Sequence, residues 1–229
     1  MTIELRSVTE KNFVEWRKAV RQGFGIHVHP DDIARLRNDR AELDRLIAAV
    51  DTGSERIVGT GGADSYSLTV PGGAVVSMAG VAYMTTSVTH RRQGAFSGMM
   101  NHIHDEARER GDIVSGLWAS QAHLYSRFDY GLGVNSYDWE IDPGFGSFSH
   151  SPISDDDKSD AHVYFVDADE AAAMLPGIYE QMRQQTIGSV DRNPGRWRYQ
   201  LFDEERVRDG ASALFFAICE EDGEQTGYV

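Results

Sequence analysis

Apolar residues recur along the chain with two periods, and the switches between them mark out the elements. Ile3 to Ser7 reads as a first strand. Thr9 then caps a helix that runs to about Phe24, because Phe13, Trp16, Val20 and Phe24 share one face. Pro30-Asp31-Asp32 suits the first turn of a second helix, since proline is tolerated there and acids complement the helix dipole. Ile33, Leu36, Leu43, Leu46, Ile47 and Val50 carry that helix onward, with a break near Asn38-Asp39. Arg56 to Val70 predicts one or two strands, Pro71-Gly72-Gly73 a hairpin turn, and Ala74 to Val88 the returning strand. Phe96, Met99, Met100, Ile103 and Ala107 then fall on one helical face, with Asn101, Asp105, Arg108 and Glu109 opposite. Arg110-Gly111 supplies a cationic last turn and a glycine stop. Val114 to Ser120 reads as a buried strand, and Ser136 to Ile141 as the last strand of this unit.

The pattern then lapses. The stretch from Pro143 to Pro152 is rich in turn formers and leads into Asp155-Asp156-Asp157-Lys158. This predicts a linker over 146–160 between a first domain at 1–145 and a second beginning at 161–229. The acidic triplet lacks the later glycine and glutamate of a calcium loop, so it reads as solvated linker. After it come a strand at Val163 to Val166, a helix from Ala168 to about Thr186 interrupted at Pro176-Gly177, and a helix from Pro194 to Phe202. Ser212 to Glu220 is a strand, Glu221-Asp222-Gly223 a turn, and Gln225 to Val229 the start of another strand. The chain stops inside that strand, so a fragment of a longer protein is expected.

Composition narrows the possibilities. With 229 residues and 41% apolar content the chain can bury a sizeable core. No apolar run is long enough to span a membrane, and the first residues lack the apolar stretch of a signal peptide. Cys219 is the single cysteine, which rules out an internal disulfide and makes the cytoplasm the expected location. The net charge of −14 disfavours nucleic acid and anionic membranes as partners and favours cationic substrates, with solubility alone as the commoner reason for such a charge.

The candidate chemistry centres on Met84 to Phe96, where a strand ends, a basic turn follows and a helix begins. Such a turn leaves backbone N–H groups unpaired, and the helix dipole adds positive potential at the same place. Arg91 and Arg92 add formal charge, and Gly94 lets a ligand approach the backbone. A phosphate or pyrophosphate suits this turn; an ordinary loop with two solvated arginines is the alternative. It is not a P-loop, because Gly-x-x-x-x-Gly-Lys-Ser/Thr is absent. Gly59, Gly61 and Gly62 do not make the dinucleotide fingerprint. His102 and His104 point about 200° apart on a helix, and His27-x-His29 finds no third ligand, so no metal is expected. Gly-x-Ser-x-Gly is absent too, which argues against a serine hydrolase. His90 is expected to support the turn, and Trp16, Trp118 and Trp197 to be core or pocket wall.

Arg91-x-x-Gly94-x-Phe96 resembles the Arg/Gln-x-x-Gly-x-Gly/Ala loop of the GNAT N-acetyltransferases, with Phe96 departing from the small final residue. Thr89-His90-Arg91-Arg92-x-Gly94, then Ala119-Ser120 and Tyr125-x-Arg127-Phe128-x-Tyr130-Gly131, is similar to the Eis family in particular. The resemblance implies an α/β (α+β) GNAT fold, with a mixed central sheet whose parallel strands splay apart, followed by the opening of a second GNAT-like domain. It implies acetyl-CoA as co-substrate and an amine acceptor of aminoglycoside, polyamine or lysine type. Arg91, Arg92, Gln93, Gly94, Ala95, Phe96 and Ser97 would hold the pyrophosphate. The backbone of Met84, Thr85 and Thr86 would hold the pantetheine and the acetyl carbonyl, and Ser120 and Gln121 would complete the groove. Tyr125 would be the general acid, with Tyr130 as the alternative donor. The family's base is a carboxylate at the chain terminus in a third domain, outside this sequence. The family often has Glu where this chain has Gln121. A homo-oligomer is expected of the full-length form. A non-catalytic CoA-binding module would share the turn without requiring Tyr125.

Overall fold

The computed structural model describes residues 2–28, 42–135, 140, 142, 144, 161–205, 208 and 210–229. The expected helix start at Pro30, most of the strand from Ser136 to Ile141 and the 146–160 linker lie outside them. The described chain divides into two compact units, one of Met1–Tyr130 with Arg183–Gln200, the other of Gly131–Met182 with Leu201–Val229.

In the first unit, Leu46-Ile47-Ala48-Ala49-Val50-Asp51 is a strand and not the tail of a helix. All six residues are buried because the strand is covered on both faces. Leu46, Ala48 and Val50 join Phe13, Trp16 and Val20 on one side, while Ile47 and Ala49 join Met99, Met100, Ile103 and Ala107 on the other. A strand buried on both faces shows no alternation, so its periodicity cannot be told from that of a buried helix. The sheet runs in the order β1 (Ile3–Ser7), β2 (Leu46–Asp51), β3 (Arg56–Thr69), β4 (Val75–Thr86), β5 (Val114–Leu117). The first four are antiparallel neighbours, and β5 pairs parallel with β4. β3 is one unbroken strand of 14 residues.

Helix α1 (Phe13–Gly23) covers one face. It starts a turn later than its sequence suggests, because Asn12 turns its side chain back to accept from the Thr9 N–H at 2.6 Å. Trp16 is fully buried, and its indole N–H donates to the Ile47 carbonyl at 2.9 Å. Its large apolar surface therefore enters the core with no unpaired donor, and truncation to Ala would cost roughly 3–5 kcal/mol. Helix α2 (Ala95–Arg110) covers the other face. It lies close to β3 because Gly61 lacks a side chain: a Cβ there would sit 2.7 Å from the Met84 sulfur.

A bulge interrupts β4. Thr60 pairs with Thr85 and Gly62 with Ala82, so Gly61 alone faces both Tyr83 and Met84. Tyr83 takes the left-handed conformation at φ 63°, and its carbonyl accepts the Thr60 hydroxyl at 2.7 Å. The extra residue resets the alternation of side chains. Ala79 and Val81 face α2, then Tyr83 turns to α1 and Trp16, and Met84 returns to the α2 side.

At the far end of α2 lies a buried ionic cluster that no local pattern announces. The Arg45 side chain is 1% exposed and donates to Ser65 Oγ at 2.7 Å, Asp112 Oδ2 at 2.7 Å and Glu106 Oε2 at 3.1 Å. Ser77 donates to the other oxygen of Asp112. The segment Arg183–Gln200 is laid along the end of β3: Ser67 N–H donates to Asp191 Oδ1 at 2.7 Å, and Thr69 N–H to the Ser189 carbonyl at 2.9 Å.

The second unit holds an antiparallel three-stranded sheet, β6 (His162–Val166), β7 (Phe216–Glu221) and β8 (Glu224–Tyr228), in that order. Ile218, Ala171 and Leu175 are among its buried residues. Helix α3 (Ala168–Gln185) runs through Pro176 without a break, so the expected interruption does not occur. Proline removes one N–H and its ring crowds the preceding turn, but the remaining ladder holds across it. Helix α4 (Pro194–Gln200) follows in the chain and belongs to the first unit.

Candidate active site

β4 and β5 pair from Met78↔Val114 to Val81↔Leu117 and no further. β4 continues to Thr86, still paired with β3. Among the described residues, the other edge of β4 from Ala82 to Thr86 therefore has no strand beside it. The side chains there are mostly committed elsewhere. Met84 packs into the core. The Thr85 hydroxyl lies 2.6 Å from that of Thr60, and its side chain fills the space a Cβ on Gly23 would need. The Thr86 hydroxyl oxygen is buried without a hydrogen-bond partner among the described residues. What this edge offers is backbone.

The turn follows. Ser87 N–H donates to the Val58 carbonyl at 2.7 Å, closing the strand. His90 anchors what comes next: its Nδ1 is 2.8 Å from the Thr89 hydroxyl and its Nε2 is 3.9 Å from Asp51 Oδ2. The Ser54 hydroxyl, then the Gly53 N–H and His90, hold the Asp51 carboxyl below its usual range. Arg91 is extended, whereas Arg92 and Gly94 are left-handed at φ 61° and 86°. Gly94 is the residue before α2, and a Cβ built on it meets nothing within 4 Å. The first intrahelical bond runs from Gly98 N–H to the Gly94 carbonyl at 2.8 Å. No side chain caps this end and no acid lies in the first turn. The N–H groups of Ala95, Phe96 and Ser97 thus precede the first intrahelical bond.

Arg91, Arg92, Gln93 and Gly94 are exposed, and Gln93 reaches back to the Thr89 carbonyl at 3.5 Å. Neither arginine has a carboxylate within ion-pair distance among the described residues, although the chain carries 36 acids against 22 Lys and Arg. An open backbone cradle with unpaired cations suits an anionic group such as pyrophosphate.

Across the gap, Ser120 and Gln121 are exposed, and Gln121 opens a short 3-10 turn, Ala122–Leu124. A second such turn, Ser126–Phe128, follows. Tyr125 joins the two. Its half-buried ring stands edge-on to Phe96, 5.7 Å away, and to Tyr130, 6.0 Å away. Burial pushes its phenol up, and its hydroxyl makes no hydrogen bond among the described residues. The Tyr130 hydroxyl, by contrast, is tied to Ser115 Oγ and to His104 Nε2, the latter at 3.0 Å. Phe96 contacts Phe128 as well, which explains why a large residue sits where the loop pattern has a small one. Trp118 is 82% exposed and so is not core, unlike Trp16 and Trp197.

Residues 4–133, which contain every feature of this site, match the acetyltransferase (GNAT) domain. The chain belongs to the GNAT acetyltransferase family. This GNAT chain is 33% identical over 228 residues to a Streptomyces avermitilis protein described as an uncharacterized N-acetyltransferase, covering 100% of the chain and 54% of the relative. It is 28% identical over 226 residues to N-acetyltransferase Eis of Mycobacterium bovis, covering 97% and 55%. The structure of Eis1 from Mycobacterium abscessus shares its fold with a TM-score of 0.68 at 23% identity, covering 99% of this chain and 52% of that one. The GNAT chain thus spans about half the length of the curated relatives it matches.

Proposed function

We propose that the chain is the acetyl-CoA-dependent part of an N-acetyltransferase that acetylates an amine of a cationic acceptor, of aminoglycoside, polyamine or lysine type. The observation that carries this reading is the meeting, in one gap, of the unpaired edge of β4, the uncapped start of α2 and the uncommitted phenol of Tyr125. The N–H groups of Ala95, Phe96 and Ser97, with Gly94 and the cations Arg91 and Arg92, would take the pyrophosphate, and Gln93 would border it. The free edge at Met84, Thr85 and Thr86 would pair with the pantetheine arm and orient the acetyl carbonyl. Ser120 and Gln121 would line the opposite wall. Bound acetyl-CoA supplies the thioester.

Acetyl transfer forms a C–N bond and breaks a C–S bond, so the amine must lose a proton and the departing sulfur must gain one. Tyr125 fits the second task. Burial keeps its phenol protonated at neutral pH, and no neighbour competes for that proton. The resulting phenolate recovers a proton from water. The acceptor's proton would go to a base, which the family resemblance places in a carboxylate at the chain terminus, outside this sequence. The excess of acids would draw a cationic acceptor toward the site. We also read residues 161–229 as the opening of a second GNAT-like domain.

Calorimetry with acetyl-CoA tests the cradle, and thiol release with polyamines, aminoglycosides and lysine peptides, measured in the full-length protein, tests the transfer. Binding without thiol release across the panel would replace this reading with a CoA-binding module. Absence of binding would end both.

A further inference from the structure

The sequence singles out two tyrosines in one short segment, and the structure gives their hydroxyls opposite surroundings. The Tyr130 hydroxyl is held from two sides, by Ser115 on β5 and by His104 on α2 at 3.0 Å. The His104 ring also lies against Tyr130 and Phe128, with centroids 5.6 and 6.3 Å away. Tyr130 in turn stands edge-on to Tyr125 at 6.0 Å, and its N–H points to the Tyr125 carbonyl at 3.4 Å. Phe128 N–H donates to the same carbonyl at 2.9 Å. The segment around Tyr125 has only single 3-10 turns to stiffen it, which are weak structures on their own.

We propose that His104 and Ser115, acting through Tyr130, are positioning residues that fix the ring of Tyr125 at the end of the gap. A phenol given two partners on two different elements cannot drift from either. The ring carrying it then serves as a wall, and Phe96 on α2 forms the opposite wall at 5.7 Å. Tyr130 is therefore not a second acid: as a donor it would have to break the bonds that hold it. Hydrogen-bond bookkeeping agrees. A neutral His104 accepting at Nε2 leaves Tyr130 as donor to it and Ser115 as donor to Tyr130, and the reverse order of donors is equally complete. In both orders the Tyr130 hydroxyl donates to one partner and accepts from the other. This inference rests on the acid role given above to Tyr125, but its readout does not.

The test labels the nine tyrosines with ¹³C at the ring ε positions and assigns Tyr125 and Tyr130 through Tyr125→Phe and Tyr130→Phe. His104→Leu, and separately Ser115→Ala, should displace or broaden the Tyr125 signal while the acetyl-CoA affinity read by calorimetry stays within about two-fold. His104→Gln, which can again place a polar atom near Nε2, should restore the signal. In the full-length protein, His104→Leu should lower kcat by roughly 10²-fold with KM for acetyl-CoA unchanged. An unmoved Tyr125 signal in a folded His104→Leu overturns the proposal. A displaced signal together with full turnover in Tyr125→Phe keeps the positioning and removes the acid role, so the two ideas fail separately.

Discussion

Gly94 and Gly111 stand at the two ends of α2, both left-handed at φ 86° and 80°, and a Cβ on either would meet nothing within 4 Å. They form a matched pair for asking whether the start of this helix holds an anion. Alanine at either position must adopt a left-handed backbone, at a cost of roughly 1–2 kcal/mol. For a chain of this size that lowers Tm by roughly 2–8 °C. The two substitutions should therefore look alike in a thermal melt. They should differ toward acetyl-CoA. At Gly94 the new methyl group stands in the opening beside the unpaired N–H groups, so a pyrophosphate cannot approach as closely. Losing one charge-assisted hydrogen bond costs about 1.5–3 kcal/mol, which is roughly 10- to 100-fold in Kd. At Gly111 the same methyl lies a full helix length away, roughly 24 Å at 1.5 Å per residue, and Kd should stay within two-fold of its starting value. Calorimetric titration of both variants, after confirming equal melts, reads the difference directly. Equal Kd values in the two variants would refute the assignment of the cradle, whatever they did to stability.

Four further outcomes are expected. Changing Arg91 and Arg92 to Gln should weaken acetyl-CoA binding and flatten its dependence on salt, checked by titration at several ionic strengths. Tyr125→Phe in the full-length protein should lower kcat by roughly 10²–10⁴-fold and leave acetyl-CoA affinity nearly unchanged, checked by thiol release and calorimetry. Arg45→Met leaves Asp112 buried without its cation and should cost roughly 3–5 kcal/mol in urea unfolding at pH 7, with Arg45→Met and Asp112→Leu together costing less than their sum. Burial first, then Arg108, lowers the pKa of His104 against the opposing pull of Asp105 and Asp129. The unfolded chain therefore binds the proton more readily below the ordinary histidine pKa of about 6.5. Stability should fall as pH drops from there through the folded pKa, and His104→Gln should remove that slope in unfolding curves.

Where one face of an element meets solvent, its period was legible. Phe13, Trp16 and Val20 of α1 and Met99, Met100, Ile103 and Ala107 of α2 are buried as their spacing requires. The Pro71-Gly72-Gly73 turn and the basic turn before α2 were equally plain, because each depends on residue types with one strong local preference. What failed did so for physical reasons. β2 is apolar on both faces, so its Leu and Ala content, good for a helix, outweighed a period that was not there. Arg45 looks like any surface arginine in sequence, and only Asp112 and Glu106, more than sixty positions away, make its burial tolerable. In sequence His104 reads as a candidate metal ligand beside His102, yet its partner is Tyr130, brought near by the fold. The family motif puts Tyr125 ahead of Tyr130, but nothing local in the sequence gives that order a physical reason, since the difference between them lies in what their hydroxyls touch.

The bulge at Tyr83 has a consequence for how this chain can change in length. A residue added or lost in the Pro71 hairpin alters only a solvent-facing connection. Adding one residue between Val81 and Met84 would instead put the strand out of phase from there to Thr86. Met84 would move into the place of Thr85. A long side chain would then be driven beneath Gly23, where even Thr85 fits only because that residue has no Cβ. The last residues of β4 are thus counted as well as chosen, and single-residue insertions should be tolerated in the hairpin and selected against here.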